Sequence, residues 1–174
     1  MENYIAPEVK ALVGKEHTMH AWDAVERSAI RRFVQAVMDT DPIYWDDAAG
    51  IERGYGGTVA PPMFPFYGFR CPPNYPDPLT PAISDPTFHG SSFLPRFGLP
   101  EPNIPLKRLL NGGSDLEFFA LARPGDHLTA TSSIEDVYQK EGRKGMMVFV
   151  KMKITISNQN NQVLMILHQT EIRR

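Results

Sequence analysis

The chain carries one cysteine, Cys71, in 174 residues. A single thiol excludes an internal disulfide framework and any multi-cysteine metal site, and it fits a reducing compartment. Cys71 itself reads as a small apolar group rather than a reactive thiol. Long apolar runs are missing too. Nothing approaches the ~20 residues that span a bilayer, and Val163 to Leu167 is among the longest such runs. Met1 to Lys10 mixes Glu2, Pro7, Glu8 and Lys10 and has no apolar core of signal-peptide length. A cytoplasmic protein without a membrane span is expected. Charge of one sign is also lacking: eighteen Lys and Arg face twenty Asp and Glu, for a net charge of -2. The basic residues are scattered, which leaves no electrostatic footprint for nucleic acid. The five histidines, His17, His20, His89, His127 and His168, have no ligand spacing to one another or to the cysteine, so no metal is expected.

What is present is an apolar fraction of 42%, enough to fill one core, and a single domain over 1–174 is expected. Ile30, Phe33, Val34 and Val37 fall at i, i+3, i+4, i+7 and predict a helix from about Ser28, its cap, to Met38. Asp41-Pro42 breaks the chain away, and Asp46 is a cap for a short helical turn ended by the glycines at 54, 56 and 57. Thirteen of the sixteen prolines lie between Pro61 and Pro105, so little regular structure persists there beyond a short helix from Pro61-Pro62 to about Arg70. The rest, about 71–110, reads as a long insertion. The aromatics between Pro61 and Pro105, among them Phe66, Phe69, Tyr75, Phe88, Phe93 and Phe97, suit an ordered cover over a core edge or a subunit contact.

From Gly113 onward the period becomes two. Met146, Val148, Val150, Met152, Ile154 and Ile156 alternate with Met147, Phe149, Lys151, Lys153, Thr155 and Ser157. With Gly113 to Leu121, Leu128 to Val137 entered through Arg123-Pro124-Gly125-Asp126, and Val163 to Ile172 entered through Asn158 to Asn161, this predicts four consecutive antiparallel strands behind a helical N-terminal half. The fold class is α+β, with a curved antiparallel sheet wrapped around a helix.

Two stretches carry the candidate chemistry: Asp39-Thr40-Asp41-Pro42-Ile43-Tyr44 and, sixteen residues on, Ala60-Pro61-Pro62-Met63. They resemble the DxNPIH and AHGM stretches of MaoC-like hydratases. Gly54 to Pro62, Arg123 to Asp126 and Val137 to Gly145 resemble the FAS1-like dehydratase, or MaoC N-terminal, branch of the hot-dog fold in the same order. In that family, the resemblance implies, an aspartate and a histidine handle water and protons while a glycine N–H holds the thioester carbonyl. Asp39 matches the aspartate. The histidine position is Tyr44, whose ordinary pKa of about 10, against about 6.5 for histidine, makes a poor proton shuttle near neutrality. The glycine position is Pro62, which has no N–H to give. Asn111-Gly112-Gly113 occupies a place where relatives have a glycine-rich entry to the first long strand, and the two glycines serve either a ligand's approach or the strand's start.

The resemblance implies a coenzyme A or acyl-carrier thioester as substrate, with no other cofactor, and a second MaoC-like subunit that supplies the missing groups, or else a homodimer. The expected function is therefore the tunnel-shaping half of an enoyl-CoA hydratase or 3-hydroxyacyl-thioester dehydratase. Two alternatives stay open: a self-sufficient hydratase or lyase using Asp39 and Tyr44, and a non-catalytic acyl-CoA-binding protein. A purely structural role for these two residues also stays open, in which Asp39 closes the helix end and Tyr44 packs in a vestigial pocket. Ala60, Pro61, Pro62, Met63, Gly112 and Gly113 are the expected substrate-binding residues.

Overall fold

A computed structural model describes residues 2–69, 84–86, 90–143 and 145–174. Cys71, Tyr75, Phe88 and His89 lie outside the described residues, as does the Arg70 end of the helix expected after Pro61. The elements are helix α1 (Pro7–Lys10), strand β1 (Glu16–His20), helices α2 (Arg27–Val37) and α3 (Asp47–Glu52), and strands β2 (Leu109–Phe118), β3 (Thr129–Gly142), β4 (Gly145–Ser157) and β5 (Val163–Arg173). Short 3-10 turns fill the gaps at Pro42–Tyr44, Phe64–Gly68 and Leu94–Phe97.

The strands form one antiparallel sheet in the order β1-β3-β4-β5-β2. The alternation read in β4 sets its buried face: Val148, Val150, Met152, Ile154 and Ile156 are all fully buried, while Lys151 is exposed. A one-residue slip would expose all five, which fixes the register. On the opposite face Tyr138 stacks on Phe149 at 4.9 Å, with the ammonium groups of Lys140 and Lys151 at 5.3 and 5.8 Å from the Tyr138 ring. Bulges interrupt the sheet, one of them at Leu164 between β5 residues Val163 and Met165. A second inserts Glu135 between paired Ile134 and Asp136, and a third inserts Gly112 and Gly113 between Asn111 and Ser114.

Several expectations need correction. The N-terminal half is not purely helical, because Glu16–His20 pairs with β3 as a fifth strand, and β2 begins at Leu109 rather than Gly113. Ser28 does not cap α2: Glu26 is the cap residue, and the Ser28 hydroxyl donates to its carboxylate at 3.1 Å. Ile30 and Val34 of α2 are buried, but Val37 is exposed, since the helix closes at Met38 in a left-handed conformation. The helix expected from Pro61-Pro62 is a 3-10 turn, Phe64–Gly68.

That turn and the described part of the proline-rich segment cover the sheet. Phe97 is fully buried with its ring 5.3, 5.6 and 5.4 Å from those of Phe66, Phe69 and Phe93. The Ser132 hydroxyl on β3 donates to the Phe97 carbonyl at 2.7 Å, and the buried Glu171 carboxylate on β5 accepts from the Ser92 hydroxyl and the Phe93 N–H. Arg173 donates to Glu101 at 2.6 Å and to Glu171 at 3.4 Å. Proline removes donors from this segment, so side chains of the sheet meet its remaining polar groups. In its described part the segment is thus a cover over the sheet, built on Phe93 and Phe97.

Candidate functional site

The Asp39–Tyr44 stretch forms where α2 ends. The Asp39 N–H donates to the Val34 carbonyl at 3.1 Å, closing the helix, and its carboxylate accepts the Asp41 N–H at 3.0 Å. Asp41 in turn caps the 3-10 turn through the Ile43 N–H at 3.2 Å and takes the Arg53 guanidinium at 2.6 Å. Asp39 is exposed, whereas Tyr44 is buried. Burial pushes the Tyr44 phenol above its ordinary value, and the charges of Asp39 and Asp41 push it the same way, so the two candidate groups lie within electrostatic reach. At neutral pH such a phenol holds its proton and can only donate it to a hydrogen bond.

Ala60 and Pro61 follow an anchored loop. The Val59 N–H donates to the Ile43 carbonyl at 3.1 Å, and the Ala60 N–H to the Ala122 carbonyl at 2.8 Å, so the second stretch is tied both to the first and to the connection between β2 and β3. Ala60 is fully buried, Pro62 half-buried and Met63 exposed. The Pro61 carbonyl accepts from the Phe64 N–H at 2.9 Å. Phe64 is held between Phe33 of α2 at 5.7 Å and Tyr67 at 5.6 Å. Pro62 therefore sits at a fixed place in this turn and offers no donor there.

The residues that hold this loop escaped sequence reasoning. Arg27 reaches both oxygens of Asp47, at 2.7 and 2.8 Å, and the Thr58 hydroxyl at 3.0 Å. Asp47 also accepts the Thr58 N–H at 2.9 Å and its hydroxyl at 2.6 Å, and these bonds, led by that to Arg27, hold the Asp47 carboxyl well below the usual carboxylate range. A methyl placed on Gly50 would lie 2.1 Å from the Gly57 carbonyl oxygen, so α3 can meet the loop only at a glycine. The legible signal was the glycine set at 54, 56 and 57; the partners of Asp47 follow no spacing rule.

Gly112 and Gly113 lie on β2. They form the β2 bulge, five residues or about 17 Å along the strand from Phe118. A methyl on Gly112 would press on Thr170 and Ile172 at 2.9 Å, while Gly113 has φ +120 and open space around it. Close strand packing and a left-handed bulge thus account for both. Asp41, Asp46 and Asp47 are each engaged by a helix cap or an arginine, and among the described residues no group of three or more His, Cys, Asp or Glu could hold a metal ion. His168 meets the bulged Glu135 at 2.9 Å, and His20 meets Thr129 at 3.1 Å. Among the described residues no helix is long and apolar enough to cross a membrane.

Comparison with known proteins places this geometry. A protein of Streptomyces avermitilis designated UPF0336 is 29% identical over 133 residues, covering 76% of this chain and 75% of its own. One of Thermobifida fusca is 27% identical over 120 residues, covering 69% and 66%. Among solved structures, a chain of the ChsH1-ChsH2 complex from Mycobacterium tuberculosis matches 90% of this chain and 82% of its own, with a TM-score of 0.66 and 22% identity. The HadBC (3R-hydroxyacyl-ACP dehydratase) complex of the same organism matches 91% and 96%, with a TM-score of 0.57 and 18% identity. These likenesses establish the hot-dog fold. The family model for the FAS1-like dehydratase domain region matches residues 11–167, and the chain belongs to that family.

Proposed function

We propose that this protein is the subunit of an enoyl-CoA hydratase or 3-hydroxyacyl-thioester dehydratase that shapes the acyl tunnel, acting with a separate MaoC-like subunit that carries the working acid–base pair. Pro62 is the observation that carries the reading. Hydration of an enoyl thioester needs a polarised carbonyl, an activated water and a proton for the α-carbon. One oxyanion donor contributes about 10²–10³-fold and acid–base groups about 10²–10⁴-fold. By the motif resemblance, Pro62 brings a ring nitrogen to the donor's position and Tyr44 a phenol that keeps its proton to the shuttle's, which supports the reading.

The edge strand supports a partner. Leu116 and Phe118 pair with Leu167 and Met165, which face the core, yet they remain 37% and 45% exposed because, among the described residues, β2 has no strand on its other side. An open strand edge with apolar side chains is a template for another chain. Asp115 and Glu117 point to the opposite face of that strand. Antiparallel pairing of β2 with its own copy, centred between residues 115 and 117, would set these carboxylates against each other, which disfavours a homodimer relative to a different subunit. The likeness to chains of the ChsH1-ChsH2 and HadBC complexes agrees with this arrangement.

The reading is tested by Asp39→Asn in the two-subunit complex with a trans-2-enoyl-CoA as substrate. Unchanged turnover is expected. Loss of activity would transfer the chemistry to Asp39 and favour the second reading, a self-sufficient hydratase in which the protonated Tyr44 donates to the carbonyl.

A further inference from the structure

The end of the sheet remote from Ala60 carries a concavity that the reading above leaves unused. The β3–β4 hairpin overshoots β5 there. Val148 stands opposite Arg173, so Gly145, Met146 and Met147, together with the hairpin residue Arg143, extend past the last paired position. Arg108 and Arg174 exchange backbone hydrogen bonds at 3.0 Å in both directions, joining the start of β2 to the end of β5. On the other side Gln139 accepts the Tyr4 N–H and donates to the Glu2 carbonyl, both at 3.0 Å, and so lays the N-terminal segment along β3.

The depression between them encloses about 660 Å³ and is lined by Arg108, Arg143 and Arg174, with Tyr4, Met146 and Met147 among the remaining residues. Among the described residues no Asp or Glu lines it, in a chain whose acidic residues outnumber its basic ones. Glu2 touches its rim through the Tyr4 hydroxyl at 2.7 Å. Among the described residues none of the three guanidinium groups makes a side-chain hydrogen bond or ion pair, whereas Arg27, Arg53 and Arg173 each hold a carboxylate. Like charges brought together without counter-charges raise the local potential and draw anions. Guanidinium forks match phosphate oxygens two at a time. A volume within the ~300–1,000 Å³ of ordinary ligand pockets exceeds what a lone inorganic anion needs, and the Tyr4 ring and the two thioethers supply apolar surface beside the charge.

We propose that this arginine pocket binds the phosphate groups of the carrier on which a thioester substrate arrives. Only the choice of carrier rests on the hydratase reading; the anion site stands on its own residues. Antiparallel pairing along β2 would set its Arg108 end beside the opposite end of a partner's β2. In a two-subunit assembly the pocket would therefore lie toward the partner's thioester site, and the charged end of the carrier would be held by one subunit while its acyl end reacts at the other.

The test is calorimetric titration of the full chain with coenzyme A, inorganic pyrophosphate and phosphopantetheine. Saturable 1:1 binding that weakens with added salt is expected for coenzyme A. Arg108→Gln and Arg143→Gln should each weaken it about fivefold, with unchanged thermal melts. Competition by phosphopantetheine as strong as that by coenzyme A identifies an acyl-carrier arm as the source of the phosphate. Competition by pyrophosphate without phosphopantetheine identifies the nucleotide. No saturable binding of any of the three, or equal binding by the folded double variant, overturns the proposal. Because the readout is binding alone, a failure here with hydration intact in the two-subunit complex rejects the pocket and leaves the functional reading standing; the reverse outcome rejects only the latter.

Discussion

Replacing Gly50 by alanine separates the helix's own preference from the demands of the site. Gly50 lies in α3, where alanine is favoured over glycine by about 1 kcal/mol, so helix propensity alone predicts a more stable protein. The added methyl, however, would stand 2.1 Å from the Gly57 carbonyl oxygen and 2.5 Å from its carbon, and real methyl groups do not approach below 3.0 Å. The loop must therefore retreat by roughly 1 Å, and it is not free to do so. The Tyr55 N–H is bonded to the Gly50 carbonyl at 2.8 Å, and Thr58 is held twice by Asp47, itself clamped by Arg27. Overpacking of this kind costs about 1–3 kcal/mol. With the upper end applying against backbone, and the helix gain subtracted, the variant should lose about 2 kcal/mol. That corresponds to a fall in Tm of roughly 4–8 °C for a chain of this size. Chemical denaturation and thermal melts of the two proteins measure it. A variant as stable as the parent, or more so, would refute the claim that α3 and the loop before Ala60 are locked together at this glycine.

Three further outcomes are expected. Because burial raises the folded-state value of Tyr44, its stabilising contribution is complete below the unfolded value of about 10 and disappears as pH rises through the folded one. Tyr44→Phe should thus lessen alkaline unfolding above about pH 10, and identical alkaline profiles of parent and variant would contradict this. Phe97→Ala, at a fully buried ring with three aromatic neighbours, should cost about 3–5 kcal/mol in denaturant unfolding; a loss below about 1 kcal/mol would mean that the proline-rich cover is not part of the core. Phe118→Asp, on the open edge, should leave the isolated chain's stability within about 0.5 kcal/mol yet abolish co-elution with a catalytic partner, whereas retained co-elution would place the interface elsewhere.

The sheet was legible where one face is buried and the other is not. The period-two run from Met146 to Ser157 and the Arg123-Pro124-Gly125-Asp126 turn left little freedom: the Asp126 N–H donates to the Arg123 carbonyl at 3.0 Å, and Gly125 takes φ +91. β1 was not legible because Glu16–His20 buries none of its residues fully and becomes a strand only by pairing with β3. Ser28 misled for a similar reason, since the carboxylate two residues before it offered its hydroxyl a nearer partner than the helix N–H groups. In the candidate site, the replacements at Tyr44 and Pro62 could be read directly from residue types. The Arg27–Asp47–Thr58 clamp could not, because its members are twenty and eleven residues apart and meet only after α2 and α3 have packed. Likewise Glu171 and Arg173 look like solvent-facing residues near a strand's end, and their burial follows from a cover too rich in proline to place by pattern.

The division of labour is most directly tested by following the enoyl absorbance of a trans-2-enoyl-CoA in the presence of this chain, of a MaoC-like partner with intact DxNPIH and AHGM stretches, and of the two mixed. The account predicts hydration by the mixture well beyond the sum of the separate rates and none by this chain alone. Full turnover by the isolated chain would contradict it.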